Sequence, residues 1–246
     1  MLRRRLSKTD NKYSRGVVAV AAGSTKFPGS AILTVGGARR GNAGYVKFLA
    51  NSPQLSNIVI SKFPDCVPIR NLITERVDVL VVGPGGCNLS AIPRDIPVVL
   101  DSEMIKYVKS KDFQKRSAYT VITPHEGELR YLDKKFQEDL KNNSRKEVAE
   151  AIANKYGVIV VLKGNRTIIE APGKSKVDSI GGAELATAGS GDVLAGLIGS
   201  MLASNSADPF QSVCNAVELH SRAGRYAAAK FKSVSALEIM DSLTFV

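Results

Sequence analysis

The sequence predicts one α/β domain in which a mostly parallel central sheet carries helices on both faces. Short β-branched runs alternate with segments of helical period, the order that parallel strands and crossover helices require. Two of those runs, VDVLVVG and GVIVVLKG, are apolar without interruption, as strands buried on both faces must be. The 246 residues also match the roughly 200 to 250 that α/β domains commonly hold undivided.

The basic opening MLRRR is followed by no apolar stretch of the about 7 to 15 residues that a signal sequence needs. Residues 1–15 are therefore expected to form a solvated basic tail, with the folded domain at 16–246. Strands are expected at 17–22, 44–49, 57–61, 78–82, 97–100, 118–122, 157–162 and 166–170. Three helix starts carry cap signals: Thr123-Pro124-His125-Glu126, with Thr at the cap, and the boxes Ser144 to Glu147 and Ser235 to Glu238. The run DVLAGLIGSMLA predicts a buried helix from 190 to 203, and helices follow at 208–230 and 236–243.

Composition narrows the function classes. With 44% hydrophobic and 23% charged residues the chain can bury a core, which excludes disorder and fibrous structure. The charge of +11 is scattered, and its clusters at Arg3 to Arg5 and Lys106 to Lys115 lack interleaved stacking aromatics, so no nucleic-acid partner is expected. No apolar run approaches the about 18 residues of a membrane span, so no membrane partner is expected either. Cys66, Cys87 and Cys214 are odd in number and far apart, which favours a reducing cytoplasm over a disulfide framework.

Four glycine turns fall at strand ends or a helix start, where open α/β sheets bind ligands. They are Gly23-Ser24 with Pro28-Gly29, the Gly83 to Gly86 turn, Lys163-Gly164, and Gly189-Ser190-Gly191-Asp192. The last leads into the apolar helix, so its backbone N–H groups offer a phosphoryl site at the positive end of the dipole. Asp192 in that first turn could take a hydroxyl proton or merely complement the dipole, which would keep it ionised. Lys163 could reach into the same crevice or face solvent. Spacing alone makes His125 and His220 structural, while Asp101 could hold a magnesium-bound water or brace a loop. There is no GxxxxGK[ST], no GxGxxG after a strand, no HExxH and no GxSxG. No resident metal site is expected.

Taken in order, TPHEGEL (Thr123 to Leu129), VLKG (Val161 to Gly164) and ATAGSGDVLAG (Ala186 to Gly196) resemble the ADP/ATP-dependent NAD(P)H-hydrate dehydratases, members of the ribokinase-like superfamily. The resemblance runs from about Gly16 to the C-terminus and includes the first glycine loop and helix, DVLVVGPGG and VVLDSEM. It implies a ribokinase-like fold and a lyase activity: a nucleotide phosphorylates the ring hydroxyl of NADHX or NADPHX, and phosphate then leaves. By the same resemblance Ser30, Gly85, His125 and Asp192 contact the hydrated substrate, with Asp192 catalytic. Lys163, Gly164, Asn165, Arg166, Thr167, Gly189, Ser190 and Gly191 would serve ADP or ATP, with Mg2+. A separate epimerase protein and a homotetramer are likewise implied. This chain departs from the family pattern at GPGGC with Cys87, AGSGD, GGAELA (Gly181 to Ala186) and Ser30. The alternative is a ribokinase-like kinase that leaves its phosphate on a small sugar or vitamin-precursor alcohol.

Overall fold

A computed structural model describes residues 2–205 and 207–246. Nine strands form one sheet: β1 (Val17–Ala21), β2 (Tyr45–Leu49), β3 (Val67–Ile69), β4 (Val79–Val82), β5 (Val98–Leu100), β6 (Thr120–Ile122), β7 (Ile159–Leu162), β8 (Ile168–Ala171) and β9 (Lys174–Val177). Their spatial order is β3-β2-β1-β4-β5-β6-β7-β8-β9. Strands from β3 to β7 pair in parallel, while β7-β8 and β8-β9 are antiparallel. Because the chain steps outward from β1 to β2 and β3, then crosses back to β4, the β1/β4 junction is the switch point where open sheets leave a crevice.

Among the described residues eight α-helices cover the sheet: α1 (Pro28–Ala38), α2 (Pro53–Lys62), α3 (Leu129–Leu132), α4 (Lys134–Asp139), α5 (Arg145–Tyr156), α6 (Ser190–Ser204), α7 (Pro209–Lys230) and α8 (Ala236–Ser242). Alternate strand residues sort the core into two layers. Val18, Val20, Val79 and Val81 pack with α1, α2, α6, α7 and α8. Ala19, Ala21, Leu80 and Val82 face α3, α4, α5 and the 3-10 segment Ser102–Lys109. This is the two-sided burial that the continuous apolar runs predict.

One close contact sets how α1 and α6 meet. A side-chain carbon at Gly196 of α6 would lie 1.9 Å from the carbonyl oxygen of Thr34 on α1, so only glycine lets these helices touch backbone to backbone. Gly37 meets Val193 in the same way. The two helices run side by side, and their N-termini, with Ser30 on one and Asp192 on the other, meet at the carboxyl edge of the sheet.

Four expectations change. Residues 57–61 belong to α2 rather than a strand: Ser52 caps the helix by accepting from Leu55 N at 3.3 Å, Pro53 starts it, and Leu55 and Val59, four apart, form its buried stripe. The cap expected at Thr123 lies at His125, because the Thr123 hydroxyl is committed to Asp101 Oδ1 at 2.6 Å. Glu128 completes that turn by accepting from the His125 N–H at 2.8 Å. The opening segment is not free in solvent: Arg3 donates to the carbonyls of Arg40, Leu243 and Val246, and Arg4 pairs with Asp10 at 2.6 Å. Strands β3 and β9 add to the seven expected positions that are strands.

Candidate active site

Two cavities lie side by side at the carboxyl edge. The larger, about 1100 Å3, is lined by residues 26–30 before and within α1, Gly85 and Gly86 after β4, Ser102, Glu103, Glu128, Arg130, Tyr131, Gly189 and Asp192. The smaller, about 410 Å3, is lined by Lys163, Gly164, Asn165, Thr167, Gly182, Leu185, Ser190, Gly191 and His220. The first turn of α6 is the partition, with Ser190 and Gly191 on one side and Asp192 on the other. The amides of Gly191 and Asp192 have no backbone acceptor among the described residues, which leaves them free for an anion.

The glycine turns crowd around this partition. Gly85 has φ +68, and a side-chain carbon there would sit 2.5 Å from Ser30 Cβ, so glycine is needed for both conformation and space. The Gly23 amide donates to Pro84 O at 2.8 Å and the Ser24 hydroxyl to Gly85 O at 2.7 Å, which ties the first loop to the second.

Lys163 directly follows β7 and turns its ammonium inward. Nζ donates to Asp101 Oδ1 at 2.8 Å and lies 3.7 Å from Glu128 Oε2. Burial alone would lower its pKa, but the charges of Asp101 and Glu128 outweigh that and raise it, so it is a fixed cation. The sequence left Asp101 undecided between a metal water and a loop brace. It is 3% exposed and receives both Lys163 and Thr123, so it acts as the seat of that cation. A side-chain carbon at Gly191 would come within 3.2 Å of Lys163 Nζ. The ammonium thus stands against the turn that divides the cavities.

Asp192 holds its proton more tightly than an ordinary carboxyl. Burial pushes its carboxyl up to about 6; the Ser30 hydroxyl pulls the other way, Asp101 raises it further and Lys163 lowers it. Burial thus works against the helix dipole at this carboxyl. A carboxyl poised near 6 suits proton transfer at neutral pH better than an ordinary one does.

Three expected site residues fall elsewhere. His125 is exposed and lines neither cavity; it stands beside Lys163 along the sheet edge with Nε2 3.5 Å from Glu128 Oε1. The Arg166 side chain is exposed, and its carbonyl accepts from Arg145 at 2.7 Å. Gly189 lines the larger cavity rather than the nucleotide side. Conversely His220, assigned from spacing to structure, is buried with its ring 3.2 Å from Ser190 Oγ, and burial pushes its pKa down to about 4. No sequence pattern marks it, since it sits mid-way along α7 and reaches Ser190 only through tertiary packing. A separate cavity of about 860 Å3, between residues 49–51, 70–75 and 87–96, contains none of the candidate residues.

The described residues contain no group of three or more His, Cys, Asp or Glu able to hold a metal ion. Asp101 and Glu128 are occupied by Lys163, so the donor set fits Mg2+ only as an ion carried on nucleotide phosphates.

Residues 18–244 match the family model described as NAD(P)H-hydrate dehydratase. The chain belongs to this family. The bifunctional NAD(P)H-hydrate repair enzyme of Corynebacterium glutamicum is 33% identical over 217 residues, covering 80% of this chain and 37% of its own length. The chain spans less than half the length of the bifunctional relatives it matches. Among solved structures, the ADP/ATP-dependent NAD(P)H-hydrate dehydratase of Bacillus subtilis, co-crystallized with ATP/Mg2+, superposes with a TM-score of 0.85 at 26% identity, covering 98% of this chain and 92% of its own. A ribokinase-like superfamily protein of Enterococcus faecalis shares the fold with a TM-score of 0.84 at 21% identity, covering 98% and 89%. The fold is thus the ribokinase-like one that the resemblance implies.

Proposed function

We propose that the protein repairs hydrated NAD(P)H by nucleotide-dependent dehydration. The carrying observation is the partition: Asp192, its carboxyl pushed up to about 6 by burial, lines the large cavity from the same helix turn whose Ser190 and Gly191 line the small one. The hydrated nicotinamide lies in the large cavity against Ser30 and Gly85, and ADP or ATP lies in the small one along Lys163 to Thr167. Arg166 and Gly189 take part through backbone and loop shape, and His125 reaches the substrate from the rim.

Asp192 accepts the proton of the ring hydroxyl as its oxygen bonds to the terminal phosphorus of the nucleotide, releasing AMP or ADP. The amides of Gly191 and Asp192 and the Lys163 ammonium hold the transferred group. Mg2+ carried on the phosphates would add neutralising charge. The ring nitrogen lone pair then expels phosphate, because phosphate is a far better leaving group than hydroxide, and loss of a proton leaves the reduced nicotinamide. The reading includes a homotetramer in the cytoplasm, working with an epimerase of the same hydrate. The three buried free thiols fit a reducing compartment, and the described residues include no helix long and apolar enough to cross a membrane.

The test is incubation of the protein with hydrated NADH and either ADP or ATP, following return of the reduced-nicotinamide absorbance and release of phosphate. Nucleotide-dependent recovery supports the reading. Nucleotide consumption with stable phosphorylation of a sugar or vitamin-precursor alcohol, and no recovery, replaces it with a kinase.

A further inference from the structure

The His220 ring and the Ser190 hydroxyl form a buried polar pair in the wall of the smaller cavity. Both residues are 4% exposed, both line that cavity, and His220 Nε2 lies 3.2 Å from Ser190 Oγ. Among the described residues the hydroxyl has no other partner. Helix α7 delivers the ring, and the same stretch of that helix braces the opposite wall. Ser221 Oγ donates to Asp178 Oδ2 at 2.7 Å and Arg225 Nε to Ile180 O at 2.8 Å. Gly224 leaves room for Leu185, since a side-chain carbon there would lie 2.5 Å from Leu185 Cδ2. The ring cannot withdraw from Ser190 without moving a helix of 22 residues that is anchored on both sides of the cavity.

The direction of the hydrogen bond decides what the pair can do. Burial pushes the pKa of His220 down to about 4, and Lys163 lowers it further while Asp178 raises it, so at neutral pH the ring is uncharged and carries one proton. Were Nε2 to take the serine proton, Ser190 would show only oxygen lone pairs to a polyanionic nucleotide. When Nε2–H donates instead, the serine proton is free to turn into the cavity. Ser190 opens α6 beside the unpaired amides of Gly191 and Asp192, with the Lys163 ammonium against the same turn, so the group it faces there is an anion. An anion stabilises the second arrangement, because a hydroxyl donating to a charged oxygen makes one of the stronger hydrogen bonds.

We infer that His220 is a positioning residue for the nucleotide: its Nε2–H donates to Ser190 Oγ and holds that hydroxyl with its own proton directed at a phosphate oxygen in the smaller cavity. The inference rests on the dehydratase reading only in placing the nucleotide there. Ser190 then joins the backbone amides and Lys163 as a donor to the phosphates, and its aim is set by a residue 30 positions away on another helix.

Titration of the full chain with a non-hydrolysable ATP analogue and Mg2+, read by calorimetry, tests the role through a double-mutant cycle. Ser190→Ala removes the hydroxyl and should weaken the analogue about tenfold, the scale of one hydrogen bond to a charged group. His220→Leu keeps the bulk but loses the donor, and should weaken it by the same factor. His220→Gln, whose amide nitrogen reaches the place of Nε2, should recover most of that loss. In the Ser190→Ala background His220→Leu should weaken the analogue no further, because its effect passes through the hydroxyl alone. If His220→Leu does not fold, His220→Asn, whose amide stops short of Ser190, takes its place in the cycle. Losses that add in the double variant, unchanged affinity in His220→Leu, or a His220→Gln as weak as His220→Leu would overturn the inference and return His220 to packing. Hydrate turnover separates the levels. A wild type that shows the cycle but leaves the hydrate untouched removes the dehydratase reading and keeps the positioning role, turnover with additive losses removes only the positioning role, and no binding of the analogue removes both.

Discussion

Asp192→Asn tests the proposed mechanism and its electrostatics in one variant. Burial pushes the native carboxyl from an ordinary 3.8 up to about 6. At about 1.36 kcal/mol per pH unit of proton affinity, holding it ionised at neutral pH costs the fold at most about 3 kcal/mol. Its folded pKa is raised, so its contribution to stability is full below pH 3.8 and is lost as pH rises through about 6. The amide cannot ionise, so the variant should be more stable than wild type at pH 7 and no more stable below pH 4. At roughly 2 to 4 °C per kcal/mol for a chain of this size, the gain in Tm is several degrees. The same change removes the base, and kcat for hydrate repair should fall by at least about 100-fold. Calorimetry at pH 7 and pH 3.5, with kcat under saturating nucleotide, measures both. A Tm difference that does not change with pH refutes the buried-charge argument. A kcat within about threefold of wild type refutes Asp192 as the base.

Lys163→Ala should raise the apparent KM for ADP or ATP and lower stability by about 3 to 5 kcal/mol, because Asp101 and Glu128 lose the cation that compensates their burial; the additional change Asp101→Asn should restore part of the stability but none of the nucleotide affinity. Chemical denaturation and nucleotide titration read the two effects apart, and an unchanged KM would return Lys163 to a structural role. His125→Ala should leave Tm unchanged, because the turn is closed by backbone groups and Glu128, and should weaken the hydrate about tenfold if the rim histidine touches it; an unchanged KM for the hydrate would remove it from the site. His220→Gln should lessen acid sensitivity relative to wild type, as judged by Tm from pH 7 to pH 4.

The features legible in the sequence are those written in contiguous residues. The doubly buried strands β4 and β7, the apolar α6 and the boxes at Ser144 and Ser235 all declare themselves within a few positions. Segments whose local preference conflicts with their packing do not. Ile58, Val59 and Ile60 favour extended structure by their branching, yet Ser52 and Pro53 start a helix through them. Strand β9, KSKV, is mostly exposed and has no apolar pattern to betray it, being held by its antiparallel partner alone. At the site, the glycine turns and Asp192 stand out by spacing, but the Asp101-Lys163 pair joins residues 62 apart and the His220-Ser190 pair residues 30 apart. The raised proton affinity of Asp192 is hidden for the same reason: the helix dipole can be read from the sequence around it, whereas burial depends on α1 lying against α6.

Burying two titratable groups around one helix turn has a consequence for the whole fold. Asp192 has its pKa raised, so its stabilising contribution is lost as pH rises through about 6. His220 has its pKa lowered from 6.5 to about 4, so its contribution is present above 6.5 and lost as pH falls through about 4. Each displacement corresponds to about 3 kcal/mol, in nearly the same window and with opposite sign. Neither group is among the charges that shift the other, so the two effects should add independently. In the wild type they offset, and this corner of the fold is nearly indifferent to pH between about 4 and 6.5. Removing Asp192 alone exposes the histidine, and the variant loses its advantage on acidification. Removing His220 alone exposes the aspartate, and that variant gains relative to wild type on acidification. The double variant Asp192→Asn with His220→Gln should then run parallel to wild type across the window, offset by a constant. A double variant whose pH profile follows either single variant instead would mean that one of the two groups is not held in the protonation state that its burial demands.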